Sequence, residues 1–85
     1  MSDLISDAEL KTPNLAPGIY KHYKGNRYEV VGVALHTETN EPLVVYRPLY
    51  ESHVSYWVRP YAMFTSTVII DGQIIPRFKK VADHE

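Results

Sequence analysis

The stretch Tyr46–Phe64 has the sequence YRPLYESHVSYWVRPYAMF and holds six of the ten aromatic residues of the chain. Two arginines are interleaved with the aromatic residues, and a proline follows each of them. Proline is confined to the ends or edges of strands and suits the first position of a helix. We therefore predict strands at Leu43–Leu49 and Tyr56–Arg59, a loop between them, and one helical turn at Pro60–Phe64 after the second strand.

Hairpin signals flank this stretch on both sides. Gly25-Asn26 and Asp71-Gly72 are dipeptides typical of tight turns between antiparallel strands. The first would join strands Gly18–Tyr23 and Arg27–Thr37, and the second would join the short apolar runs on either side of it. With the two strands of the aromatic stretch, the chain predicts five or six short strands.

The longest predicted strand, Arg27–Thr37, has two unlike faces. Val31, Val33 and Leu35 alternate with other residues, so we expect them to project together into the core. Gly32 interrupts the opposite face. Because an interior glycine usually marks a bulge or a close approach of backbones, we expect the strand to bend there.

The whole pattern favours one small, mainly β domain, since 85 residues suit a single domain. Short strands, close hairpins and one helical turn predict an SH3-like barrel or β-roll over residues 18–78, with a five-stranded oligonucleotide-binding barrel as the rival. Residues 1–17 are predicted to be an N-terminal tail, in which residues 2–11 form either a short helix or a frayed segment. Residues 79–85 are predicted to be a solvated C-terminal tail.

Composition excludes several classes of protein. The chain has no cysteine, so it offers neither disulfides nor thiolate ligands for zinc, which fits a cytoplasmic location. No apolar run approaches the ~20 residues of a membrane helix, and no signal peptide is visible. The net charge of −1 does not favour nucleic-acid binding. A local basic patch would form only if Arg47, Arg59 and Arg77 met in space.

The best candidate for a ligand-binding surface lies in the aromatic stretch. Trp57 and Arg59 are two residues apart on a predicted strand, so they share a face. Tyr46 and Arg47 point to opposite faces of the neighbouring strand, and one of them would join the pair. A guanidinium group binds carboxylates and phosphates, while aromatic rings supply stacking area. This surface would suit a peptide, a protein or a small anionic ligand.

Two histidines, His22 and His36, fall on neighbouring predicted strands and could converge across the first hairpin. We expect them at the rim of the same surface, hydrogen-bonded to backbone. The alternative is a metal site in which both act as ligands together with Glu29 or Glu38. The spacing specifies neither the number nor the geometry of ligands, so we assign no metal ligand, no cofactor and no catalytic residue.

The chain also resembles a bacterial family of small domains of unknown function, the one numbered 1653. The resemblance lies in these segments: Gly18–Gly25, Tyr28–Val30, His36–Thr39, Leu43–Arg47, Trp57–Pro60, Met63-Phe64 and Pro76–Phe78. It covers about residues 18–78 and implies an SH3-like β-roll in a small cytoplasmic bacterial protein. It implies no reaction and no functional residues.

Together, these observations predict a non-enzymatic binding module that uses the surface of aromatic and arginine side chains. Two alternatives stay open from the sequence. One is a small enzyme that depends on a metal or on the histidines. The other is a structural accessory that uses the aromatic stretch as an interface between subunits or domains.

Overall fold

The computed structural model describes residues 11–85, which form seven strands and one short helix. In chain order the elements are β1 Gly18–His22, β2 Arg27–Leu35, β3 Pro42–Pro48, β4 Trp57–Pro60, α1 Tyr61–Phe64, β5 Thr67–Ile70, β6 Gln73–Pro76 and β7 Phe78–Ala82. The predicted mainly β fold with one helical turn after Pro60 is confirmed. No helix in this part of the chain is long and apolar enough to cross a membrane.

The main sheet is antiparallel and has the strand order β4-β3-β2-β1-β7. Strands β4 and β7 are its two edges, and within residues 11–85 no pairing joins them. The sheet is therefore open, and the closed barrel that the sequence predicted does not form. Strands β5 and β6 make a separate two-stranded sheet between the helix and β7.

The hydrophobic core lies against one face of the main sheet and is largely aromatic. Its buried residues are Tyr20, Val30, Val44, Tyr46, Phe64 and Phe78. The rings of Phe64 and Phe78 stack with a centroid distance of 4.0 Å, which joins α1 to the start of β7. We call the face that carries this core the inner face and the opposite one the outer face.

A bulge in β2 decides which valines enter the core. The pairing of β2 with β3 shifts from Val30↔Tyr46 to Gly32↔Val45, so Val31 is an extra residue. Val30 is 2% exposed and Val31 is 54% exposed. The prediction that Val31 lies in the core was therefore wrong. The predicted irregularity at Gly32 is confirmed, and it explains the error, because one extra residue reverses the alternation of faces.

The hairpin of β5 and β6 has the predicted turn. Asp71 has φ 51° and Gly72 has φ 78°, and a type I′ turn requires positive φ at both of these positions. Ile69 and Ile74 pair directly across the hairpin and are each 71% exposed. This pair of side chains therefore contributes little to the core.

Strand β7 runs through the segment that the sequence predicts to be a solvated tail. It pairs with β1, and Phe78 lies opposite His22. Gly18 permits this close pairing, because a Cβ at Gly18 would lie 2.6 Å from the carbonyl oxygen of Ala82. The side chains of β7 after Phe78 are exposed, so no pattern of buried residues marks this edge strand. The helix considered for residues 2–11 lies, apart from its last residue, outside the described residues.

Candidate functional site

The register of β3 and β4 selects the members of the predicted surface. Tyr46 pairs with Trp57, and Val44 pairs with Arg59. Directly paired residues share a face of the sheet, and Tyr46 and Val44 are buried on the inner face. Trp57 and Arg59 are therefore joined by Tyr46 and not by Arg47.

These three side chains form a shallow cavity together with two further tyrosines, Tyr28 from β2 and Tyr50 from the loop after β3. The cavity has a volume of about 200 Å³, and we call it the aromatic–arginine pocket. Trp57 is 44% exposed and Tyr50 is 43% exposed, whereas Tyr46 is only 4% exposed. The pocket thus has a buried floor and accessible aromatic walls.

The guanidinium of Arg59 contacts two residues of the hydrophobic core, Tyr46 and Phe78. Its Nε donates a hydrogen bond of 3.2 Å to the hydroxyl of Tyr46, and its Cζ lies 5.4 Å from the ring centroid of Phe78. Within residues 11–85, no carboxylate forms an ion pair with Arg59. The terminal nitrogens of a guanidinium held at Nε remain donors for a ligand.

Tyr28 and Tyr50 were missed in the sequence. Their hydroxyls lie 3.4 Å apart, and their rings meet edge to face with a centroid distance of 5.7 Å. Burial, followed by the hydrogen bond to Tyr50, raises the pKa of Tyr28 to about 12. The Tyr28 hydroxyl therefore stays neutral at physiological pH. Tyr28 and Val30 are two residues apart on β2 and therefore share a face. The alternation in the sequence predicted that this face lies opposite the core, and the bulge at Val31 is the reason that it lies on the core side.

Arg47 lies on the outer face and is engaged by carboxylates. Its Nε is 2.6 Å from Oε1 of Glu29, and its Nη2 is 3.1 Å from Oε1 of Glu85. The hydrogen bond and the charge of Glu29 raise the pKa of Arg47. Arg47 therefore belongs to a surface ion-pair network and does not line the pocket.

His22 lies on the inner face beside Phe78, with a centroid distance of 4.8 Å. Burial lowers its pKa, and the positive charges of Arg59, Lys24 and Arg77 lower it further. Arg59 and Arg77, two of the three arginines of the predicted basic patch, thus both lower the pKa of His22. The third, Arg47, is on the opposite face.

His36 lies far from His22. The turn after β1 places His22 beside Asn26, where its backbone N–H donates to the Asn26 carbonyl, whereas His36 follows the far end of β2. At ~3.3 Å per residue, the nine residues of β2 separate the two histidines by roughly 30 Å. The predicted convergence of His22 and His36 was wrong, and the two cannot bind one metal ion. The Nδ1 of His36 accepts a hydrogen bond of 3.0 Å from the backbone of Glu38.

The fold and the pocket define a small, mainly β domain with an open sheet and a shallow aromatic cavity on one face. The chain belongs to DUF1653, a family of proteins of unknown function, whose profile matches residues 18–80.

A crystal structure of a DUF1653 protein from Bordetella bronchiseptica has a similar fold, with a TM-score of 0.75. The two sequences are 36% identical, and the match covers 81% of this chain and 90% of the other. No curated protein matches the chain. The family that the sequence resembled is thus confirmed.

Proposed function

We propose that this protein is a non-enzymatic binding module whose aromatic–arginine pocket binds a planar anion. The ligand carries a carboxylate or phosphate on an aromatic or other flat group. The observation that carries the proposal is the state of Arg59. Its guanidinium is fixed by Tyr46, has no carboxylate partner within residues 11–85, and stands in a pocket with aromatic walls.

Arg59 supplies the recognition of charge. Because Tyr46 is buried and engages Nε, the guanidinium loses little further freedom when a ligand binds, which favours affinity. An incoming carboxylate or phosphate accepts two parallel hydrogen bonds from such a group more strongly than a neutral acceptor does.

Trp57 supplies the recognition of shape. An indole that is 44% exposed beside a charged donor can stack on a flat ligand group without a change in the core. The hydroxyls of Tyr28 and Tyr50 offer hydrogen-bonding groups at the rim. The cavity of about 200 Å³ suits one ring or one side chain.

The proposal includes a way of binding that SH3-like domains use, in which a shallow aromatic groove on a small β domain holds part of an extended chain. A peptide with an aromatic residue next to an acidic one would satisfy both the pocket and Arg59. We also propose a cytoplasmic location, which the cysteine-free sequence favours.

The sole tryptophan makes the test direct, because all indole fluorescence reports on Trp57. We would titrate the protein with phenyl phosphate, benzoate, a nucleoside monophosphate and a peptide containing adjacent aromatic and acidic residues. The signal is Trp57 emission, together with the indole N–H resonance in NMR spectra. We expect binding by at least one of these probes, with a charge-neutral analogue such as benzamide binding much more weakly.

Arg59→Gln should weaken binding by on the order of tenfold or more, because it removes a charge-assisted pair. Arg47→Gln is the matched control, since it makes the same change on the neighbouring strand but on the outer face, and it should leave affinity unchanged. If no probe moves the indole resonance, or if both variants bind alike, the pocket is not the site.

The interface alternative rests on Val58, which is 57% exposed on edge strand β4. If this edge joins two copies, Trp57 emission and the sedimentation coefficient should change together as the protein is diluted. A monomer at all concentrations would exclude this alternative.

A further inference from the structure

Three basic residues form a row across the outer face of the sheet. Arg27 pairs directly with Lys21, and Lys21 pairs directly with Lys79, on the adjacent strands β2, β1 and β7. The register places their side chains on one face, with directly opposite Cβ atoms ~5 Å apart. Like charges in this arrangement repel one another.

No carboxylate within residues 11–85 compensates Lys21 or Lys79. The ion pairs in this part of the chain use other cations, Arg47 and Lys80. Glu29, two residues along β2 from Arg27, is engaged by Arg47 at 2.6 Å. Within residues 11–85, the row therefore carries positive charge that no ion pair compensates.

The two lysines of the row line a cavity of about 250 Å³ between β1, β6 and β7. Ile75, Pro76 and Val81 give the cavity an apolar part of its lining, and His22 and Tyr23 complete it. It shares no lining residue with the aromatic–arginine pocket. A lining that combines two lysines and a histidine with aliphatic side chains matches a molecule that is charged at one end and apolar at the other.

We propose that this cavity is a second ligand site, which binds a small amphiphilic anion. The carboxylate or phosphate of the ligand lies between the amines of Lys21 and Lys79, and its apolar part packs on Ile75, Pro76 and Val81. Binding of the head group removes the repulsion between the two lysines, so the ligand stabilises a charge arrangement that the protein alone leaves unfavourable. The site is independent of the proposed function of the aromatic–arginine pocket.

The test is an NMR titration of the full chain with hexanoate, hexyl phosphate and inorganic phosphate. We expect one or both hexyl probes to shift the resonances of Ile75 and Val81 together with those of the two lysines. The carboxylate and phosphate arms show which head group is preferred. Inorganic phosphate should bind on the order of tenfold more weakly, because it makes no apolar contact. Equal binding of inorganic phosphate and hexyl phosphate, or shifts confined to other surfaces, would overturn the proposal.

Lys21→Gln and Lys79→Gln should each weaken binding of the hexyl probes by on the order of tenfold. Lys80→Gln is the control, because it removes the same charge from β7 while Lys80 lies opposite Tyr20 on the inner face. An equal loss in all three variants would mean that net charge alone attracts the probe, and the site would be rejected.

Thermal unfolding without ligand separates a binding role from a structural one. Removing either lysine relieves repulsion, so at low ionic strength Lys21→Gln and Lys79→Gln should unfold at the same or a higher temperature than the parent protein. The difference should shrink as salt is added. A lower unfolding temperature for both variants would show that the lysines already have stabilising partners, which contradicts the proposal.

Discussion

The two Arg-Pro dipeptides of the aromatic stretch end up in opposite surroundings. Arg47 lies on the outer face, where two carboxylates compensate its charge. Arg59 lies on the inner face, where it contacts a buried tyrosine and a buried phenylalanine and has no carboxylate partner within residues 11–85. The face of the sheet on which an arginine lies, and not its local sequence, therefore decides whether it stabilises the surface or remains available to a ligand.

The difference between the faces extends beyond the arginines. The inner face is covered by edge-to-face and stacked rings centred on Phe78, which contacts Tyr28, Tyr46 and Phe64. The outer face carries Lys21, Arg27 and Glu29 in addition to Arg47. We therefore expect changes to the buried rings of the inner face to affect stability strongly and changes to these charged side chains of the outer face to affect it weakly.

The largest expected effect comes from Phe64→Ala. Phe64 is 1% exposed and stacks on Phe78 at 4.0 Å. Its removal should lower the free energy of unfolding by about 3–5 kcal/mol, since it leaves a cavity and breaks the contact between α1 and β7. Urea denaturation followed by circular dichroism measures this loss. A loss under ~1 kcal/mol would show that the aromatic cluster is not the core.

A smaller and better matched pair of changes compares neighbouring valines. Val30→Ala should lower the free energy of unfolding by about 2 kcal/mol because Val30 is 2% exposed. Val31→Ala should lower it by no more than ~0.5 kcal/mol because Val31 is 54% exposed. The two variants lose the same atoms from adjacent positions. Equal losses would mean that the bulge, and with it the assignment of faces, is misplaced.

Features of the fold that depend on neighbouring residues could be predicted from the sequence, and features that depend on pairing between distant residues could not. Turn residues act locally, so the Asp71-Gly72 hairpin and the helical turn after Pro60 were predictable. Gly32 indicated the irregularity locally, but which residue is the extra one depends on the pairing with Val45 and Tyr46 of β3, which are distant in the sequence. A single extra residue there reverses which side chains enter the core.

The candidate site was only half predictable for the same reason. Trp57 and Arg59 share a strand, so the period of two was enough to place them together. Choosing Tyr46 over Arg47 required the register between β3 and β4, and Tyr28 enters the pocket from a third strand. Strand β7 was missed because its lysines are typical both of solvated tails and of protected edge strands.

Salt offers the next test of the difference between the faces. Arg47→Gln should lower the urea midpoint slightly, by less than Val30→Ala does, because exposed ion pairs contribute little. In about 1 M sodium chloride the variant and the parent should unfold together, since salt screens the pair. Arg59→Gln loses no such pair, so its midpoint should differ from the parent by an amount that salt does not change. A salt-sensitive loss in Arg59→Gln alone would reverse the assignment of the two arginines.

The smallest expected effect is a change in the titration of His22. Burial, then Arg59, Lys24 and Arg77, hold the pKa of His22 below its usual value of 6.5. A histidine whose folded pKa is lowered binds more protons when unfolded, so its contribution to stability is present above pH 6.5 and is lost as the pH falls through the folded pKa. Between pH 7 and pH 5 the parent protein should therefore lose more stability than His22→Gln, as measured by urea denaturation at each pH.

The same histidine can report on the two arginines separately. Among the charged residues that lower the pKa of His22, Arg59 has the largest effect. Arg59→Gln should therefore raise that pKa in an NMR titration of the imidazole resonances. Arg47→Gln should leave it unchanged, since Arg47 lies across the sheet with Glu29 and Glu85. Equal shifts in both variants would mean that His22 responds to net charge and does not distinguish the faces. A shift in Arg59→Gln alone would locate the positive field at the aromatic–arginine pocket, where a bound anion should in turn raise the pKa of His22.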